Sequence, residues 1–271
     1  MAQGAFARDM VHVDYRPGVH VRWDPAAEAH ITSAWETYVR TSRDTGITVY
    51  NGTLLRLDSF ARTSHGLSLM LSDIEFRQCI GTGSTDFMNA FPHMPRANPF
   101  SVSVVLVTAD GKIVVERRIR VNAYRRRYHV IAGFMEQRLD AFDGAPHPFD
   151  ALKREVREEL GLILGTPVQA TGLVNTVTGS ELCSYCRLAV SFEGLLEIKE
   201  KAGTDCEIDS LETIPDLPSD VASFLGSHPV DMVPGGRACL LLYGREAYGE
   251  QWYDNTVERA SSMPTRQPNE V

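Results

Sequence analysis

Arg154-Glu155-Val156-Arg157-Glu158-Glu159-Leu160-Gly161-Leu162 is the stretch from which the rest of the chain is read. Glu155, Glu158 and Glu159 stand at relative positions i, i+3 and i+4. At about 100° per residue, a helix brings them within roughly a third of its circumference. Three carboxylates on one face repel each other unless a cation neutralises them. Their oxygen-only chemistry suits a hard divalent ion, Mg²⁺ or Mn²⁺, rather than zinc. The plain alternative is a solvated charged face. Leu152, Val156 and Leu160 form an apolar stripe offset from the carboxylates, so one side is free to pack. Gly161 suits a left-handed C-terminal cap and Pro148 a first-turn proline. The carboxylate face is read as free of basic residues, with Arg154 pointing away from it and orienting a glutamate by hydrogen bonding.

Upstream, the strand-like Tyr128-His129-Val130-Ile131 runs into a turn, Ala132-Gly133-Phe134-Met135-Glu136. Together with the helix, these residues resemble the Nudix hydrolase family, whose signature is G-x5-E-x7-R-E-U-x-E-E-x-G-U with U aliphatic. Its second half matches at Arg154, Glu155, Val156, Glu158, Glu159, Gly161 and Leu162. The first half departs: counting back, the signature Glu falls on Pro146 and the signature Gly on Asp140. An insertion from Gln137 to about Pro146 accounts for this and leaves Gly133 as the signature glycine. Whether Glu136 replaces the missing carboxylate stays open.

Further segments resemble the vertebrate UDP-glucose diphosphatase branch of that family. They are Ala34-Trp35-Glu36, Leu71-Ser72-Asp73 with Phe76 and Ile80-Gly81-Thr82, the NTVTGSE run from Asn175 to Glu181, and the RACLLLYG run from Arg237 to Gly244. The resemblance implies a Nudix α/β/α sandwich with a mixed sheet, preceded by a small β-rich α+β domain. It also implies Mg²⁺-dependent cleavage of UDP-sugars to UMP and sugar 1-phosphate. The site it implies has Glu155, Glu158 and Glu159 as metal ligands and catalytic carboxylates, Arg154 beside them, and the Gly133 backbone approaching the metal. Arg117 and Arg118, at the end of a strand, become substrate-phosphate contacts, a role suited to the planar guanidinium fork. Neighbouring strand residues face opposite ways, so at most one of the two is expected to face the pocket. Arg125, Arg126 and Arg127 form a second basic cluster, either substrate-facing or solvated. Glu136, Glu181, Asp205 and Glu207 are the candidates for a general base.

The chain has 271 residues, 43% apolar and 23% charged, near globular averages. A net charge of −8 argues against nucleic acid as the main partner; the resemblance implies a small-molecule nucleoside diphosphate instead. No run of eighteen apolar residues suggests a membrane span, and the N-terminus lacks a signal-peptide core, so a cytoplasmic address is the default. Five scattered cysteines do not make a disulfide framework. Cys183 and Cys186 form a C-x-x-C without two further clustered ligands. On a strand the two would point to opposite faces, as packing thiols.

The pattern divides the chain into an N-terminal α+β domain (1–95), a Nudix domain (96–255) and a disordered tail (256–271). Helical spacing runs through Ala27, Ile31, Ala34, Trp35 and Tyr38. Leu54, Leu55 and Leu57 followed by Leu67, Leu69 and Leu71 read as an antiparallel hairpin. Phe76 to Thr82 continues into Gly81-Thr82-Gly83, which reads as a loop with a weak phosphate-cradle signal. Val102–Val107, Asp110-Gly111 and Ile113–Val115 make a tight hairpin. Strands follow near 168–174, 184–192 and 208–214, then a helix near 237–247. Three functions remain open: an NDP-sugar hydrolase, a hydrolase of another diphosphate (ADP-ribose, a dinucleotide, a prenyl diphosphate), and a non-catalytic ligand-binding protein. Three intact carboxylates count against the last. Oligomeric state is not legible.

Overall fold

The computed structural model describes residues 2–118, 124, 126–141, 145–176, 179–203 and 208–261. The chain begins with β1 (Ala2–Phe6) and β2 (Val11–His20), followed by the helix α1 (Pro25–Asp44). Asp24 caps that helix by accepting from the Ala27 N–H, and Ala27 and Ile31 are buried at the helical spacing expected of them. The strands β3 (Thr53–Thr63) and β4 (Gly66–Glu75) pair antiparallel as the leucine alternation requires, and β2 lies parallel to β4 on the other side. Two short helices follow, α2 (Phe76–Thr82) and α3 (Thr85–Ala90).

The segment expected as a glycine loop is thus a helix. Glu75 and Gln78 form a reciprocal capping box at its start. Gly81 is there for packing: a Cβ at this position would lie 2.6 Å from the Ile31 Cα, so the glycine lets α2 press against α1. The phosphate-cradle reading of Gly81-Thr82-Gly83 does not survive.

The second part opens with the hairpin of β5 (Phe100–Val107) and β6 (Lys112–Arg118), then β7 (Tyr128–His129) and β8 (Ile131–Phe134). A one-turn helix α4 (Gln137–Asp140) precedes α5 (Pro148–Leu160), the helix of the carboxylates. Next come β9 (Val168–Asn175), β10 (Ser180–Arg187), α6 (Phe192–Ala202), β11 (Ile208–Pro215), α7 (Pro218–Ser227), α8 (Pro234–Tyr248) and α9 (Glu250–Ser261). The strand expected to reach Phe192 ends at Arg187, because Ser191 caps α6 by accepting from the Gly194 N–H. Helix α9 carries regular structure to Ser261, past the point where a disordered tail was expected to begin; 262–271 lie outside the described residues.

Among the described residues the large sheet has eight strands in the order β1-β9-β10-β5-β6-β11, with β7 on β6 and β8 on β5. It is mixed: β10 runs parallel to β5, and the other pairs are antiparallel. β1 crosses the boundary drawn at residue 95, because it adds to the edge of β9 with Ala2 opposite Leu173 and Phe6 opposite Ala170. Alternation along the strands sorts side chains into two cores. Val102, Val104 and Leu106 meet Leu152, Val156 and Leu160 of α5 on one face. Val105 and Val107 meet Val221 of α7 and Leu240 and Tyr243 of α8 on the other. The result is an α/β/α sandwich. Cys183 and Cys186 lie in opposite cores, as positions three apart on a strand do, and both are free thiols. No helix among the described residues is long and apolar enough to cross a membrane.

The three-stranded sheet meets the large one at the turn after β8. Leu55 donates its N–H to the Met135 carbonyl at 2.8 Å, and Leu57 donates to Asn98 at 3.2 Å. A bridge pairs Leu54 with Glu136. These bonds fix the N-terminal region against the Gly133–Glu136 turn.

Candidate active site

Helix α5 forms for the reasons its sequence gives. Pro148 opens it, His147 caps it by accepting from the Phe149 N–H, and Gly161 closes it in the left-handed conformation at φ 67°. Leu152, Val156 and Leu160 are 2% exposed or less, and the flank of the helix that carries Glu155 meets the end of β8. There Gly133 meets Glu155. A Cβ on Gly133 would stand 2.0 Å from the Glu155 carboxyl carbon, well inside any tolerable contact. The glycine is therefore a cradle: its missing side chain is the space that the carboxylate fills.

The expectation that the carboxylate face carries no basic residue, and that Arg154 points away from it, is overturned. Arg154 precedes Glu158 by four residues, the spacing that places side chains one above the other on a helix. Its Nη1 lies 2.8 Å from Glu155 Oε1 and 2.9 Å from Glu158 Oε2. Nε and Nη2 donate to the two oxygens of Asp140, both at 2.9 Å, and Nη2 also donates to the Phe134 carbonyl at 3.1 Å. Arg154 thus orients glutamates by hydrogen bonding, as expected, but from within their face. Glu159 is partly buried where α5 approaches α6, and Lys199 reaches its carbonyl oxygen at 3.5 Å.

The electrostatics follow from this burial. Burial pushes the Glu155 carboxyl up, Arg154 opposes the shift and Glu158 adds to it, leaving a value of about 7. Burial works against the charge of Arg154, but its bonds to Asp140 and the nearby Glu155 and Glu158 carboxylates outweigh it and raise its pKa.

The acceptors on this face are carboxylate oxygens, the donor chemistry that suits a hard divalent cation, and Glu155 is seated against the Gly133 backbone. Among the described residues no three His, Cys, Asp or Glu side chains converge on one point. Arg154 Nη1 lies between Glu155 and Glu158, and Glu159 is partly buried where α5 approaches α6.

Arg117 and Arg118 face opposite ways. The Arg117 guanidinium lies 5.6 Å from the centre of the Tyr128 ring, whose hydroxyl donates to Glu212 at 3.0 Å. Arg118 turns toward Glu116, at 3.9 Å, and its charge also acts on His129 and Glu181. His129 is held neutral, with a pKa of about 3, first by burial and then by Arg118. Burial also raises the Glu181 carboxyl, against the opposing effects of Ser103 and Arg118. The Glu181 carboxyl reaches from β10 to the start of α8, where a Cβ on Gly235 would meet its Oε2 at 1.9 Å. Among the other general-base candidates, Glu136 accepts from the Tyr50 hydroxyl at 3.2 Å, while Asp205 and Glu207 lie outside the described residues. Of the second basic cluster, Arg126 donates its backbone N–H to the Arg118 carbonyl at 2.6 Å, and Arg127 lies over Tyr124; Arg125 lies outside the described residues.

The sequence reading missed Asp140, which lies in the insertion, and the exposed aromatic edge beside it. Phe134 is 37% and Tyr50 68% exposed, and Phe134 packs on Phe76 with ring centres 6.4 Å apart. The only signal for Asp140 was a carboxylate a short distance before an arginine it could reach.

No family model matches the chain. No curated protein matches it either. Solved structures do. The Nudix domain of Shewanella oneidensis NrtR, complexed with ADP ribose, shares 13% identity over 61% of this chain and 98% of that one, at a TM-score of 0.39. A Nudix hydrolase from Nitrosomonas europaea shares 16% over 55% and 90%, at 0.38. A bifunctional NMN adenylyltransferase/ADP ribose pyrophosphatase from Francisella tularensis, complexed with AMP and a Mn ion, shares 12% over 60% and 46%, at 0.39. At scores this low, the fold rests on the topology of this chain and the site on its own geometry.

Proposed function

We propose that this protein is a divalent-metal-dependent hydrolase of the Nudix type that cleaves the pyrophosphate of a nucleoside diphosphate sugar, a UDP-sugar foremost, to UMP and sugar 1-phosphate. The observation that carries this reading is the pairing of the Glu155 carboxylate with the Gly133 cradle, on a helix that also presents Glu158 and Glu159.

Glu155, Glu158 and Glu159 would hold Mg²⁺ or Mn²⁺. A bound ion would supply charge neutralisation for the diphosphate and a lowered pKa for a water nucleophile. Arg154 keeps Glu155 and Glu158 in place through its own hydrogen bonds. Arg117 or Arg118 contacts a substrate phosphate from the end of β6. Phe134 and Tyr50 offer an exposed aromatic edge for the nucleobase, beside the turn that holds Glu136. Water oxygen bonds to one phosphorus as the bridging P–O bond breaks, and the bridging oxygen leaves with the other phosphate. Positioning and charge neutralisation carry most of such a reaction.

The carboxylate face engages diphosphate oxygens and does not read what lies beyond them. ADP-ribose, dinucleotides and prenyl diphosphates therefore belong in the same assay panel as the NDP-sugars. Running that panel in ¹⁸O water with Mg²⁺ locates the attacked phosphorus by mass spectrometry. Label in UMP or in sugar 1-phosphate supports the proposal. Label in free sugar, or cleavage of another diphosphate with no turnover of any UDP-sugar, defeats it.

A further inference from the structure

The C-x-x-C spacing pairs Cys183 with Cys186 in the sequence, but the fold gives Cys183 a different neighbour. Cys186 turns into the core beneath α5, with its Sγ 3.0 Å from Thr166 Oγ1. Cys183 turns into the core beneath α8, where its thiol shares a hydrogen bond with that of Cys239. The Cys239 Sγ also donates to the Ser184 carbonyl at 3.4 Å, which holds it over the backbone next to Cys183. Both thiols are free and 0% exposed. Contact with Cys239, and then burial, raise the Cys183 thiol well above its ordinary value, so it stays protonated at neutral pH.

The two sulfurs meet at a sensitive place. Cys183 lies two residues after Glu181, on the same face of β10. Cys239 lies one turn after Gly235, on the same face of α8. Gly235 is the position against which the Glu181 carboxyl is seated. A covalent bond between the sulfurs would fasten α8 to β10 one layer below that seat. It would also close residues 183–239 into a loop that contains α6, β11 and α7.

We infer that Cys183 and Cys239 are a latent disulfide, formed when a hydroperoxide oxidises the pair, that staples α8 to β10. Hydrogen peroxide suits the site because it is small and uncharged, and the pair lies in an apolar core with Val105, Val174 and Leu240. In the first step one thiol, its proton released, attacks a peroxide oxygen. The O–O bond breaks, a sulfenic acid forms, and the departing hydroxide takes up the proton as water. In the second step the other thiol attacks the sulfenic sulfur, S–S forms as S–O breaks, and a second water leaves. The two thiols lose two electrons, and one peroxide is reduced to two waters. Because neither thiol reaches solvent, the reaction is slow and follows excursions that part α8 from β10. A small dithiol reverses it by exchange.

The test is prolonged treatment of the full-length protein with hydrogen peroxide, then N-ethylmaleimide in denaturant to block the remaining thiols, and peptide mapping without reduction. Cleavage after Tyr185 separates Cys183 from Cys186, so the link can be assigned. Peroxide should join the Cys183 peptide to the Cys239 peptide, and dithiothreitol should part them. The oxidised protein should melt on the order of 5–10 °C above the reduced one, as expected of a cross-link that closes a long loop. Cys239→Ala should lose both the link and the rise in Tm, whereas Cys186→Ala should keep both. The wild-type peptide map decides the assignment even if Cys239→Ala does not fold. A link from Cys183 to Cys79, Cys186 or Cys206 in place of Cys239 overturns the inference. So does a Cys183 that remains a free thiol or ends as a sulfinic acid. A linked protein with no rise in Tm, or an equal rise in folded Cys239→Ala, overturns the staple.

Discussion

The two faces of α5 are built on opposite principles. The face formed by Leu152, Val156 and Leu160 is buried against β5, and its stabilisation depends on area removed from water. The face formed by Glu155 and Glu158 is held by one shared guanidinium, with one carboxylate largely buried and the other half exposed. The first face is indifferent to ions and pH; the second depends on both. Substitutions on the two faces should therefore separate stability from turnover.

The largest effect is expected on the charged face. Glu158→Gln or Glu159→Gln should lower kcat on the order of 10³, through loss of several kcal/mol of charge stabilisation. Thermal stability should change little for Glu158, whose side chain is 47% exposed. Steady-state rates at saturating Mg²⁺, paired with melting curves, check this; a Glu158→Gln enzyme with wild-type kcat would place the chemistry elsewhere. Gly133→Ala sharpens the contrast from the cradle side. It should cost on the order of 10²-fold in kcat, because the methyl displaces the Glu155 carboxylate and a misplacement of about 1 Å is that expensive.

Leu152→Ala should do the reverse. It should destabilise the fold by about 2–5 kcal/mol, the range for a buried leucine, while kcat per folded molecule stays near wild type. Urea titration alongside active-site-normalised rates measures both. A variant that loses kcat without losing stability would show that the two faces are not separable.

A smaller effect is expected from the pH dependence of stability without metal. The folded Glu155 carboxyl keeps its proton to about pH 7, whereas the unfolded one releases it near its ordinary value of 4.5. Between these values the folded state binds more protons, so stability falls as pH rises and levels off above about 7. Urea midpoints in chelator at several pH values should show this slope, and Glu155→Gln should remove its share. An identical slope in that variant would mean that Glu155 titrates normally.

Much of the fold was legible because it follows regular periods. The α5 stripe, its Pro148 and Gly161 ends, the Phe100–Arg118 hairpin and the opposite facing of Cys183 and Cys186 all follow from spacing and turn chemistry. Helix α2 was not legible, because two glycines resemble a loop when the packing of α1 that requires Gly81 is unseen. Strand β1 was missed because five residues have too short a period to register, and its place is decided by the open edge of β9. At the site, the helical glutamates were readable, but the position of Arg154 among them and its hold on Asp140 depend on tertiary approach across the insertion. No periodicity encodes that contact.

The central claim is that the charged face of α5 works only with a divalent ion bound, and the most direct test is turnover of UDP-glucose by chelator-stripped protein before and after Mg²⁺ is restored. The account predicts no release of UMP in chelator and its return, together with an equal amount of glucose 1-phosphate, on addition of Mg²⁺ or Mn²⁺. Full turnover by the stripped protein would contradict it.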